Sequence, residues 1–346
     1  MNTEICLRPI KRFFSVPYWA LRERMVKVRV WLGDAAKAFV MLIILRPAAD
    51  YLPASWAFSL ARLFGKLKAM LPFYGFETLR LVKRTFATDS RQARQLAGAC
   101  MSRHYLDFLA MRRIIRGREN IQERPIIEIN QDNIENLRRS GASYIVATGH
   151  FNRYAHATLC LSRIVPQRTI CVANPPIPKS LHPHNVWLRA HYGQMLQVFQ
   201  CLRPDVEFLN PGHSGLFKEL VRALKRPGTA LQIYVDAPWD SQRTGGFSRP
   251  FAGKKKSGFA TGAARLARLT QCPIVLCLPY MDERGQVILD WARLIQPPDS
   301  QDSEADIINT NLLLDDIERV IGMRPDQYVM DVLGERKWNS QLQRWE

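Results

Sequence analysis

The sequence predicts an α/β fold, a mixed central sheet with helices on both faces, joined to a helical N-terminal region of different character. Three observations carry that expectation. After Arg118, short apolar runs rich in strand formers alternate with segments of helical periodicity, the order that builds a sheet covered by helices. The first 80 residues instead alternate basic clusters with apolar runs. With 346 residues and 47% hydrophobic content, the chain can close a sizeable core, divided here into a region 1–80 and an α/β domain 81–346.

In the N-terminal region, Arg22, Arg24, Lys27, Arg29 and Lys37 accompany Trp19, Trp31 and Phe39. The longest apolar run, Ala38 to Leu45, is eight residues and stops at Arg46-Pro47. A spanning helix needs roughly 20 apolar residues, so a helix lying in the headgroups of an anionic leaflet suits this composition better. The alternative is an amphipathic helix docked on the core. The opening "MNTEICLRPIKRFF" has no apolar stretch ahead of its charges, so no cleavable signal is expected.

Leu81 to Arg118 reads as helix, with Asp89 or Ser90 as the cap of its main segment and Ala93, Leu96, Ala97, Cys100 and Met101 along one stripe. Tyr144–Thr148 reads as a strand, Arg153–Ile164 as a helix and Thr169–Ala173 as a strand. A helix then starts near Ser214, places Leu216, Leu220, Val221 and Leu224 on one face, and stops at Pro227-Gly228. Ala230–Val235 follows as a strand, "TGAARLARL" as a helix, and "PIVLCLP" and "QVILDW" as strands joined by "DERG". A helix from about Asp306 to Ile321 closes the pattern.

Several chemistries lack their signatures. No phosphate loop ends in Lys-Ser/Thr, and no glycine fingerprint follows a strand. Gly212 and Ser214 in "PGHSGL" begin a nucleophile elbow, but its third position is Leu216, and Ser214 reads better as a helix N-cap. Seven cysteines at 6, 100, 160, 171, 201, 272 and 277 form no Cys-x-x-Cys pair, which points to reduced thiols. His182 and His184 in "LHPHN" have no third ligand nearby, so no metal site is expected.

The net charge of +18 calls for an anionic partner: nucleic acid, an anionic membrane or an acidic carrier. No nucleic-acid reading module interleaves with the basic residues, and such a partner gives the apolar N-terminal stretch no purpose.

Reactive groups of open α/β sheets gather at strand carboxyl ends. In "YIVATGHFNRYAHATL", His150 stands at a break from strand to helix, either as a general base or as a structural histidine capping the strand end. A second segment, "YVDAPWDSQRTGGFSRPFAGKKKSGFATGAARLA", ends a strand at Asp236 and would bring that residue to the same rim. Asp240, four residues on, is a second carboxylate there.

The pairing of "GHFNRY" with "D…GGFSRPFAGKKKSGFATGAARLA" resembles the bacterial lipid A biosynthesis acyltransferases, of the lauroyl/myristoyl type within the lysophospholipid acyltransferase superfamily. The resemblance extends to "LVKRTFATDSRQARQL", "LFKELVRALKRPGTALQIYVDAP" and "IERVIGMRPDQYVMDVLGERKW", and so spans nearly the whole chain. It implies transfer of a fatty acyl group from an acyl carrier protein or coenzyme A thioester to a lipid or glycolipid hydroxyl or amine. The thioester is then a co-substrate, no cofactor is needed, and the protein works at the cytoplasmic face of the inner membrane, peripheral or monotopic.

In that family the first motif is His-x-x-x-x-Glu/Asp, whose acid orients the histidine. His150, Phe151 and Tyr154 match it, but Ala155 occupies the position of the acid. Three explanations stand: a carboxylate from the opposite loop, Asp236 or Asp240, takes the role; His150 works alone on a more reactive acceptor; or the chain is a non-catalytic homologue that binds lipid or acyl carrier as an accessory protein. Asn152, Arg153, Asp240, Lys254 and Lys255 are the candidate substrate-binding residues, with Arg153 near a helix N-terminus suited to phosphate. For Arg153 and for "GKKK", Lys254 to Lys256, a solvated charge is the competing reading.

Overall fold

A computed structural model describes residues 35–36, 39–71, 75–120, 125–151, 168–172, 206–209, 214–237, 246–282, 286–298, 302–328 and 335–346. Among them, a π-helical turn, Val40–Leu45, runs into α1, Arg46–Tyr51, followed by α2, Ala54–Met70, and α3, Gly75–Phe86. The expected helix from residue 81 is broken after Phe86 by Ala87, which adopts a left-handed φ of 49°. Asp89 then restarts it as the N-cap of α4, Ser90–Ile115, its Oδ1 accepting from the amides of Arg91 at 2.7 Å and Gln92 at 2.8 Å.

The central sheet has seven strands: β1, Ile126–Ile129; β2, Tyr144–Thr148; β3, Arg168–Val172; β4, Glu207–Leu209; β5, Thr229–Tyr234; β8, Ile274–Met281; and β9, Val287–Ile295. Their order is β1-β9-β8-β2-β5-β3-β4, parallel at every pair except β8 with β9. The sheet is therefore mixed and mostly parallel. Residues of β2 alternate between two cores, Ile145 and Ala147 facing one and Tyr144 and Val146 the other.

On the first face lie α6, Leu216–Leu224, α7, Gly262–Thr270, and α8, Glu304–Met323, which bury Leu220, Leu266 and Ile317. On the second lie α5, Asp132–Ser140, with Ile134, and the end of α4 with Met111 and Ile114. Covering helices on both sides explain why β2 is buried throughout. Outside the sheet, β6, Gly246–Phe251, and β7, Lys254–Ala260, form an antiparallel hairpin, while β10, Trp338–Asn339, pairs with β11, Arg344–Trp345.

The earlier half of α4 serves a separate cluster, where Tyr105, Phe108 and Leu109 meet Met41, Leu45, Ala57 and Ala61. Arg112 grips Asp50 with two hydrogen bonds of 2.8 and 2.7 Å, and Arg113 donates to the Leu52 carbonyl at 2.9 Å. One helix thus belongs to both the N-terminal helices and the α/β core. Among the described residues, no helix is long and apolar enough to cross a membrane.

Ser214 is not the cap of α6. Gly215 holds that position with φ 91°, and its carbonyl accepts from Glu219, without a side-chain cap. The left-handed geometry, which glycine adopts without strain, turns the chain into the helix instead.

Candidate active site

Adjacent strands β2 and β5 run parallel, with Thr148 opposite Tyr234, and the amide of Val235 donates to the Thr148 carbonyl at 3.1 Å. Two residues beyond each of those partners come His150 and Asp236. Equal offsets from a shared register bring them face to face at the carboxyl rim. The imidazole Nδ1 lies 2.6 Å from Asp236 Oδ1, and the His150 amide donates to Oδ2 at 2.8 Å.

Gly149 makes the turn possible. A Cβ there would stand 2.9 Å from the Phe151 ring and 3.4 Å from Asp236 Oδ2. Phe151 is fully buried and forms an isolated antiparallel bridge with Tyr328. That bridge brings the Tyr328 hydroxyl to Asp236 Oδ2, to which it donates at 2.6 Å. The Tyr328 segment is fastened to the sheet by Gln327, whose side-chain amide accepts from the Met281 amide at 2.7 Å and donates to its carbonyl at 2.8 Å.

The Asp236 side chain has no solvent exposure, so three donors must replace the water it lost. Burial pushes its carboxyl up, but the charge of the His150 imidazole, the bonds from His150 and the bond from Tyr328 outweigh burial and leave it below its ordinary value. It is therefore a carboxylate, an acceptor only. The proton of the contact is therefore carried by Nδ1, and Nε2 is the ring nitrogen that can exchange one. Burial, and then the Asp236 charge, push the Tyr328 phenol well above its ordinary range, so its hydroxyl remains a donor.

The His150 ring is largely buried, with its side chain 16% exposed, and packs at 4.6 Å against the ring of Tyr234. Chemically, an imidazole oriented by a buried counter-charge can take a proton at Nε2 and tolerate the imidazolium that results.

Lys254 and Lys255 are exposed on the β6–β7 hairpin, Lys255 pairs with Glu335 at 3.0 Å, and neither is bonded to His150 or Asp236. Asn152, Arg153, Tyr154, Ala155 and Asp240 lie outside the described residues, as do His182 and His184. Among the described residues, no three His, Cys, Asp or Glu side chains cluster so as to hold a metal ion.

No role for Tyr328 or Tyr234 follows from the sequence. Tyr328 stands within the Pro-x-Gln-Tyr part of the resembling segment, which was its one signal. A family model described as bacterial lipid A biosynthesis acyltransferase matches residues 36–332, a span that contains His150, Asp236 and Tyr328. No curated protein matches the chain.

Proposed function

The chain belongs to the bacterial lipid A biosynthesis acyltransferase family, and from that premise we propose that it moves a fatty acyl group from a thioester donor to a hydroxyl or amine of a lipid or glycolipid, with His150 as general base. The donor is an acyl carrier protein or coenzyme A thioester, which enters as co-substrate. His150 Nε2 removes the proton of the acceptor group as its oxygen or nitrogen attacks the thioester carbonyl. A tetrahedral oxyanion forms, then collapses with loss of the C–S bond, and the imidazolium returns its proton to the departing sulfur.

Asp236 keeps the proton on Nδ1 throughout and offsets the imidazolium charge, the role an orienting carboxylate has in other acid–base constellations. The observation that carries the proposal is the 2.6 Å contact of His150 Nδ1 with a fully buried Asp236. It bears on the departure at Ala155: in this reading the orienting carboxylate is Asp236, just past the end of β5, rather than a residue at position 155. Asn152, Arg153, Asp240, Lys254 and Lys255 are assigned to substrate contacts, where the basic residues suit lipid phosphate or an acidic carrier. The net charge of +18 supports work at an anionic membrane, at the cytoplasmic face of the inner membrane.

His150→Ala is expected to abolish acyl transfer from a radiolabelled thioester while the fold is retained. Unchanged transfer would remove His150 from the mechanism. The second reading, a homologue that binds lipid or carrier without turnover, is favoured by Ala155 alone. Binding without transfer to any acceptor, together with activity gained by Ala155→Glu, would establish it.

A further inference from the structure

Helix α2 is built inside out relative to a helix that faces water. Its buried positions are Ala57, Ala61 and Gly65, spaced four apart, and they pack on α4. The approach is so close that a Cβ on Gly65 would stand 1.9 Å from Ser102 Oγ and 2.4 Å from Ser102 Cα. Ser102 turns its own hydroxyl back to the Gly98 carbonyl at 2.6 Å, so the crossing is made by small side chains and backbone.

The large apolar residues are on the other side. Trp56, Leu63, Leu67 and Met70 recur at helical spacing and are 69%, 50%, 46% and 76% exposed, with Leu60 half-buried between them. In water, a helix buries its bulky residues and exposes small or polar ones; small residues inside and bulky ones outside is the pattern of helices packed in lipid. A contiguous exposed apolar face also marks an interaction surface.

The charge beside that face selects the occupant. Arg62 and Lys66, both exposed, lie one turn apart along one flank of the stripe, and Lys68 is also on this helix. No acidic residue lies between Tyr51 and Phe76. An apolar face whose flanking charges are all cationic, with a tryptophan along it, matches the boundary of acyl chains and anionic headgroups. We infer that the Trp56–Leu60–Leu63–Leu67–Met70 face of α2 is embedded in the surface of an anionic membrane, the helix lying in the membrane plane. This rests on the proposal that the protein works at a membrane, and goes beyond it in naming the face that docks.

The test is cosedimentation of the full chain with phosphatidylcholine vesicles with and without phosphatidylglycerol, scored beside turnover of a water-soluble acyl thioester. Leu63→Ser with Leu67→Ser is expected to lower vesicle partitioning about tenfold or more, leaving turnover of the soluble thioester unchanged. Trp56→Phe, a milder change, should retain folding and reduce quenching of tryptophan emission by brominated lipid. Arg62→Gln and Lys66→Gln should each weaken binding about fivefold, and only to the phosphatidylglycerol vesicles.

A wild-type chain that fails to bind either vesicle overturns the membrane proposal itself. Binding by the wild type that the leucine substitutions leave intact overturns the assignment to α2 alone. So does a change from dimer to monomer in those variants with vesicle binding unaltered, since the face would then be an interface between copies.

Discussion

Three hydrogen bonds converge on the two oxygens of Asp236, and two of them come from side chains that substitution can change, His150 and Tyr328. Asp236→Asn keeps the volume but ends the charge that holds the proton on Nδ1, and kcat is expected to fall by about 10³ to 10⁴ with KM little changed. Tyr328→Phe leaves Oδ2 with the His150 amide as its one remaining donor, and a partly unsatisfied buried carboxylate costs about 1–3 kcal/mol. In the wild type the depressed Asp236 carboxyl contributes stability that is complete above the ordinary value of 3.8 and lost as pH falls through the lower folded value. Losing the tyrosine donor raises the folded value, so acid unfolding, followed by tryptophan fluorescence, should begin at a higher pH in Tyr328→Phe. His150 and Asp236 were legible because each closely follows a strand with an obvious apolar pattern. Tyr328 was not, since 92 residues separate it from the aspartate and only an isolated bridge to Phe151 brings it in.

At the scale of elements, the α2–α4 crossing makes its own prediction. Gly65→Ala must push the helices apart or displace Ser102, and overpacking of this kind costs about 1–3 kcal/mol, which thermal unfolding should register as a lowered midpoint. Strands β2, β5 and β8 were readable because each is an apolar run bounded by turn residues and buried on both faces. The four-residue edge strand β1 was not, for Glu128 interrupts its apolar run and is held by Trp291 Nε1 at 2.8 Å and by Arg138. The hairpin β6–β7 was hidden for another reason. Pro250 and its glycines read as loop, and the turn that pairs the strands uses Ala252 at φ 46°, where composition gives no sign of a left-handed residue. What stabilises the hairpin is remote in sequence: Phe251 packs edge-on to Phe259, and Glu318 of α8 accepts from Arg249 at 2.5 Å and from the Ala252 amide. The cap at Asp89 was legible in the sequence, but the left-handed Ala87 that ends the preceding helix was not, because both flanking segments keep helical periodicity.

For the whole molecule, the net charge of +18 distinguishes an acidic acyl carrier protein from a small neutral thioester as donor. An acidic carrier protein approaches through the field of the entire surface, whereas a small neutral thioester does not. Raising salt from about 0.01 M to about 0.15 M shortens the Debye length from about 30 Å to about 8 Å. If the donor is an acyl carrier protein, kcat/KM for the carrier-bound thioester should fall steeply over that range. The value for a neutral thioester of the same acyl chain should stay nearly flat. Meanwhile kcat should hold for both, since the fully buried Asp236 pairs with His150 away from bulk ions. Equal salt dependence for the two donors would mean that the basic surface serves the membrane or the acceptor and not the carrier. A fall in kcat with the neutral thioester would instead show that salt reaches the His150–Asp236 pair itself, against the full burial of the Asp236 side chain.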